Sequence, residues 1–412
     1  MNFQTFKFHP AVAAGVTAAG FTTPTPIQKQ AMPAVMAGKD VMGLAQTGTG
    51  KTAAFALPIL NRLMTGKRGT TRALIVAPTR ELAEQIHEAI TLLGQKTGLK
   101  SIAIYGGVAI DPQIKSARRA DIIVACPGRL IDHIGRKTVD LSALEVLVLD
   151  EADHMFDMGF LPDIRRILKQ IPAKRQTLLF SATMPEEIRR LAGESLVDPV
   201  TVKVGVTAPV ETVSHALFPV AQHQKTPLLL KLLQQTRTDS VLVFTRTKHR
   251  AKRLGEQLSR AGYRAASLQG NLSQNRRQNA INGFRDGTYQ IMVATDIAAR
   301  GIDIANVSHV INYDIPNTAD AYIHRIGRTG RAAHTGEAYT MITDEDTQMV
   351  RAIDRVMGAK VERQTLPDFN YEAAAAKTNQ PPRPAGQKPS NRQHASPKRK
   401  HSRSAPTRKR RA

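Results

Sequence analysis

The order of segments constrains this chain more than any single residue. Short β-branched runs alternate with longer stretches whose apolar residues recur at helical spacing, and the alternation runs through the chain twice. In the first half, strands are expected at 72–77, 101–105, 121–125, 145–150, 176–181 and 200–204, with a weaker one at 40–44; 81–94 and 185–195 carry helical spacing. The second half gives strands at 240–245, 264–268, 290–295, 308–313 and 338–342, and helices at 247–262, 273–287 and 344–358. Such alternation implies parallel sheets covered by helices on both faces. With 412 residues the chain exceeds one ordinary core. The pattern pauses where Pro209 and Pro219 fall and no helix signal is present. The reading is an α/β protein of two domains, 1–205 and 223–368, joined by a short linker at 206–222. From 369 to 412 few apolar residues remain to offset ordering entropy, so a disordered basic tail is expected.

Charge narrows the partners. Lys and Arg number 58 against 34 Asp and Glu, a net charge of +24, and 12 of these cations lie in residues 377–412, where there is no acid. An excess of this size points to a polyanion, nucleic acid before anionic membrane. The tail lacks an apolar anchor, which disfavours a membrane role. Cys126 is the one cysteine, so no internal disulfide forms. There is no secretory leader pattern, and no apolar run reaches the roughly 18 residues of a membrane span. A cytoplasmic protein is the expectation.

Three motifs carry chemistry. Ala45-Gln46-Thr47-Gly48-Thr49-Gly50-Lys51-Thr52 has the glycines that let backbone N–H groups curl around phosphate at a helix N-terminus. Lys51 would reach the β- and γ-phosphates, and the Thr52 hydroxyl would hold Mg²⁺. Asp150 and Glu151 close an apolar strand, the end at which such sheets bind ligands. There Asp150 suits Mg²⁺ and Glu151 suits an attacking water. Arg328 and Arg331, each preceded by glycine, could stabilise a transferring phosphoryl group. Read singly, each motif also fits an ordinary turn or a solvated basic face. Together they form the parts of nucleoside triphosphate hydrolysis, split between the two halves of the chain.

With these motifs and their order, residues 1 to about 365 closely resemble the DEAD-box RNA helicases, in particular the bacterial RhlE-type branch. The resemblance implies two tandem RecA-like domains, ATP and Mg²⁺ as cofactors, and RNA as partner, with no other metal. Gly20-Phe21-Thr22-Thr23-Pro24-Thr25-Pro26-Ile27-Gln28 is similar to the family's Q motif, within residues 1–29. By resemblance Gln28 reads the adenine edge and Phe3 stacks on its ring, with Phe21 in the same nucleotide-facing set. Asp303 is assigned to the ribose hydroxyls. Pro78-Thr79-Arg80, Gly106-Gly107, Pro127-Gly128-Arg129, Gln274, Arg277, Thr295 and Gly301 are assigned to RNA. Asp153, Ser181, Thr183 and His324 are assigned to coupling between hydrolysis and strand separation. Two departures stand out: Cys126 replaces the usual threonine before Pro127, and Gln269 the usual histidine before Gly270.

The implied activity is RNA-stimulated ATP hydrolysis coupled to local, sequence-independent unwinding, the basic tail adding salt-sensitive affinity. An ATP-gated RNA clamp or scaffold uses the same residues and remains the alternative. A DNA translocase is disfavoured by the resemblance.

Overall fold

The computed structural model describes residues 2–46, 48–204, 213–236, 239–299, 307–330 and 336–373, less the side chain of Ile297. Residues 1–372 form one compact unit containing two seven-stranded parallel sheets. The first comprises β1 (Val41–Leu44), β2 (Ala73–Val76), β3 (Ser101–Ile104), β4 (Ile122–Ala125), β5 (Val146–Leu149), β6 (Gln176–Ser181) and β7 (Val200–Lys203), in the order β3-β4-β2-β5-β6-β1-β7. The second comprises β8 (Val213–Pro219), β9 (Val241–Phe244), β10 (Ala265–Leu268), β11 (Ile291–Ala294), β12 (His309–Asn312), β13 (Gly336–Ile342) and β14 (Glu362–Arg363). Its order is β10-β11-β9-β12-β13-β8-β14, the first order shifted by seven, so both lobes share one topology.

The central strands are unbroken apolar runs because both faces of each sheet are covered. Along β2 and β5, Ala73, Ile75, Val146 and Val148 enter one core, while Leu74, Val76, Leu147 and Leu149 enter the other. Helix Arg80–Leu93 shows how a covering helix is specified. Thr79 Oγ1 accepts from Leu82 N at 3.2 Å and caps it. Leu82, Ala83, Ile86, Ile90 and Leu93 then form its buried stripe.

Two boundaries need correction. The segment read as a linker, 206–222, contains β8, which pairs with β13 from Val213 to Pro219; residues 205–212 lie outside the described part. Pro219 is tolerated because its nitrogen faces the β14 side of the strand, where β14 pairs only Ala216 and Leu217 and no ladder bond needs an N–H. The packed chain also runs past the expected tail boundary at 369: Phe369 and Tyr371 pack on the second lobe, their rings 4.8 Å apart. The expectation of disorder falls mainly on residues 374–412, outside the described part.

Candidate active site

The phosphate loop follows β1, and helix Lys51–Leu63 starts at Lys51 itself. Gly48 and Gly50 take φ of +84° and +91°, which side chains rarely adopt. A Cβ on Gly50 would also meet Gln28 Nε2 at 2.5 Å. Gln28 is buried, donating from Nε2 to Gly50 O (3.1 Å) and accepting from Thr25 N (2.9 Å). It therefore ties the Q motif to the phosphate loop, with one amide proton and one lone pair left over for a base edge. Phe3 is buried against Phe6 and Phe21, with ring centroids 6.2 and 5.9 Å away, whereas Phe21 is 38% exposed. Of the two rings, Phe21 is the more exposed.

Lys51 Nζ is buried without a hydrogen-bond partner. Beyond the carboxyl end of β5, Asp150 and Glu151 are each only 2% exposed. Burial pushes Asp150 up to about 6; Lys51 opposes that shift and Glu151 adds to it. A buried acid raised in this way, Asp150, beside an orphan lysine fits a Mg²⁺–triphosphate. Hard oxygen donors from Asp150 and Thr52 suit Mg²⁺, which takes few protein ligands and completes its shell with phosphate and water. Among the described residues, no group of three or more His, Cys, Asp or Glu could hold a metal ion.

Glu151 has φ 52° and ψ 54°, a left-handed conformation unusual for a side-chain-bearing residue. His154 Nδ1 lies 2.8 Å from Glu151 Oε2 and holds the carboxylate. Asp153 accepts from Ala182 N (3.1 Å), Thr183 N (2.9 Å) and Thr183 Oγ1 (3.0 Å), while its own N–H donates to Ser181 Oγ (3.2 Å). Burial works against its charge, yet His154, Lys51 and the Thr183 N–H hold it below the usual carboxylate range. The structure thus joins Asp153, Ser181 and Thr183 directly. From the second lobe, the His324 ring meets His154 edge-on at 5.5 Å.

Lys51, Glu151, Asp153 and His154 line one cavity with His324 and Arg328. Arg328 is buried, on the turn after helix Ala319–Ile326. The preceding Arg325 fixes that turn by binding Asp296 with two nitrogens (2.6 and 2.7 Å) and Asn312 at 3.0 Å. Thr47, Gly301, Asp303 and Arg331 lie outside the described residues.

A second cavity, a groove of about 710 Å³, runs between the lobes. Pro78, Thr79, Arg80, Gly106, Gly128 and Arg129 line it from the first lobe, Arg277 and Thr295 from the second. Gly107 must be glycine: its φ is +82°, and a Cβ would meet Arg80 Nη1 at 2.0 Å. Arg129 donates twice to Val108 O at 3.2 Å and so shapes the same loop. Pro127 opens the helix Pro127–Gly135. Gln274 and Arg277 reach across the lobes to Glu81, at 3.2 and 2.6 Å. Sequence reasoning placed Glu81 within the Pro78-Thr79-Arg80-Glu81-Leu82 motif without foreseeing its contacts across the lobes, and it missed His154, Arg246 and Lys248; only the abutment of His154 to the acidic motif offered a signal.

Two parallel-sheet lobes, with phosphate loop and acids on one and an arginine on the other, define a two-lobed P-loop nucleoside triphosphatase. Residues 25–191 match the DEAD/DEAH box helicase family, and residues 224–333 the helicase conserved C-terminal domain. The DEAD-box ATP-dependent RNA helicase CshA of Bacillus subtilis (strain 168) is 42% identical over 372 residues, covering 90% of this chain and 75% of that protein. Among solved structures, S. cerevisiae Dbp5 bound to RNA and ADP BeF3 aligns with TM-score 0.79 at 31% identity, over 88% of this chain and 95% of that one. A Dbp5 variant bound to Nup159, Gle1, IP6 and ADP aligns with TM-score 0.61 at 30% identity, over 88% and 96%. The chain belongs to the DEAD-box family of ATP-dependent RNA helicases.

Proposed function

We propose that this RNA helicase hydrolyses Mg²⁺–ATP in a pocket completed only when its lobes close on RNA. The carrying observation is the cavity shared by Lys51 and Glu151 of one lobe with Arg328 of the other. The loop 45–52 would hold the triphosphate, with Lys51 on the β- and γ-phosphates. Thr52 and Asp150 would hold Mg²⁺, which when bound neutralises charge on the phosphates. Glu151 orients the attacking water and takes its proton. Arg328, with Arg331, offsets charge on the transferring phosphoryl group.

RNA phosphates would lie in the interlobe groove against Arg80, Arg129 and Thr295. Each ligand touches both lobes, so each favours the closed state and helps the other bind. Hydrolysis removes the γ-phosphate contact with Arg328, reopening the cleft and releasing RNA. The RhlE-type branch, a cytoplasmic location and RNA affinity in residues 377–412 belong to the same proposal. Among the described residues, no helix is long and apolar enough to cross a membrane.

ATPase activity with and without single-stranded RNA, beside strand release from a short tailed duplex, tests the reading. RNA should stimulate turnover and ATP should drive release; turnover indifferent to RNA with no release would overturn it.

Cys126 gives a separate prediction. It lines the groove and caps helix Pro127–Gly135 without a side-chain hydrogen bond. Burial pushes its thiol up to about 12, so it stays protonated. Thr79, Thr247 and Thr318 each cap their helices through Oγ1. Cys126→Thr is therefore expected to raise unfolding stability by about 1 kcal/mol and to tighten RNA binding modestly. Denaturant titration and RNA titration check the two parts.

A further inference from the structure

The shared topology makes β8 the counterpart of β1, and the helix Lys225–Gln235 the counterpart of Lys51–Leu63. Both helices begin with a lysine. The loop before Lys225 reads Val220-Ala221-Gln222-His223-Gln224, without a glycine, so it offers no phosphate cradle. Lys225 instead turns inward. Its Nζ is buried, donating to Tyr313 O at 3.1 Å and Met341 O at 3.4 Å, and lies 3.9 Å from Asp314 Oδ1. Asp314 stands just beyond β12, the counterpart of β5, which Asp150 follows in the first lobe. The second lobe thus repeats the lysine–aspartate pairing of a nucleotide site with the aspartate only 3% exposed.

Asp314 has further partners. Its Oδ2 accepts from Arg246 N at 2.8 Å, and Oδ1 from Arg250 Nη1 at 2.5 Å. Arg246 and Lys248 follow β9, are exposed, and line the interlobe groove. One buried carboxylate therefore fixes the start of the loop that carries two groove cations, and one buried lysine lies beside it.

We infer that the second lobe has filled its own phosphate site with the Lys225–Asp314 pair, and that this pair positions Arg246, the first of the two groove cations, against RNA phosphates. Asp314 and Lys225 are positioning residues; neither touches RNA. The inference rests on the reading of the groove as the RNA site.

The test titrates the full chain with a labelled single-stranded RNA, plus a non-hydrolysable ATP analogue, at several salt concentrations. Arg246→Ala is expected to weaken binding and to lower the slope of log affinity against log salt by about 0.7, as for one lost phosphate contact on a single strand. Asp314→Asn should do the same while leaving the KM for ATP without RNA unchanged. Arg246→Ala with Asp314→Asn should be no worse than Arg246→Ala, because one contact is lost by two routes. Lys225→Met with Asp314→Asn removes both buried charges together. It should unfold near the wild-type temperature yet bind RNA as weakly as Asp314→Asn, separating positioning from loss of fold. Wild-type affinity and slope in Asp314→Asn, or losses that multiply in the first double variant, would overturn the inference. If Arg246→Ala itself bound RNA normally, the groove reading would fall, and the inference with it.

Discussion

Glu151→Gln is expected to lower RNA-stimulated ATP turnover about a thousandfold, within the range removed with a general base, while ATP and RNA still bind. The amide keeps the size and shape of the carboxylate but cannot take a proton. His154 Nδ1, now 2.8 Å from Oε2, can still donate to the amide oxygen, so the pocket stays assembled. The backbone at Glu151 is held in a left-handed conformation at the end of a fully buried strand, so the side chain is aimed by the fold. Binding of a fluorescent ATP analogue and of RNA, measured beside steady-state turnover, separates the two effects. Undiminished turnover would remove Glu151 from its role.

Arg328→Ala is expected to cost about a thousandfold in kcat, the lower end of the effect ascribed to an arginine on a transferring phosphoryl group. Arg328 enters the cavity of Lys51 and Glu151 from the opposite lobe and is buried there. Its backbone is pinned on both sides: its N–H donates to Arg325 O at 3.1 Å, and its carbonyl accepts from Val307 N at 3.3 Å. Arg328→Lys should recover little, because an ammonium cannot reproduce the planar fork. ATP affinity without RNA should change little, since the phosphate loop belongs to the first lobe. Retained kcat in Arg328→Ala would place the arginine outside the chemistry.

Much of this was legible in the sequence because both fold and chemistry demand particular residues. Strands buried on two faces must be continuous apolar runs, and 73–77 and 146–149 are short β-branched runs of this kind. Phosphate cradling demands Gly48, Gly50 and Lys51. By contrast, β8 mixes Ser214 and His215 with apolar residues and ends at Pro219, so its place between β13 and β14 is visible only in three dimensions. β14, with two residues, is too short to leave a pattern. The Glu81–Arg277 bridge and the Asp314 contacts join residues far apart in sequence, where no periodicity connects them. Phe3 illustrates the converse: a motif suggested stacking on a base, whereas packing buries the ring against Phe6 and Phe21.

Turnover in this protein depends on two lobes that complete one pocket together. Dyes on exposed Leu92 and Val356, one per lobe and each about half exposed, would report their separation in the full chain by energy transfer. High transfer is predicted only when RNA and a non-hydrolysable ATP analogue are both present, with low transfer for either alone. Equal transfer under all conditions, or full closure with nucleotide alone, would contradict the account.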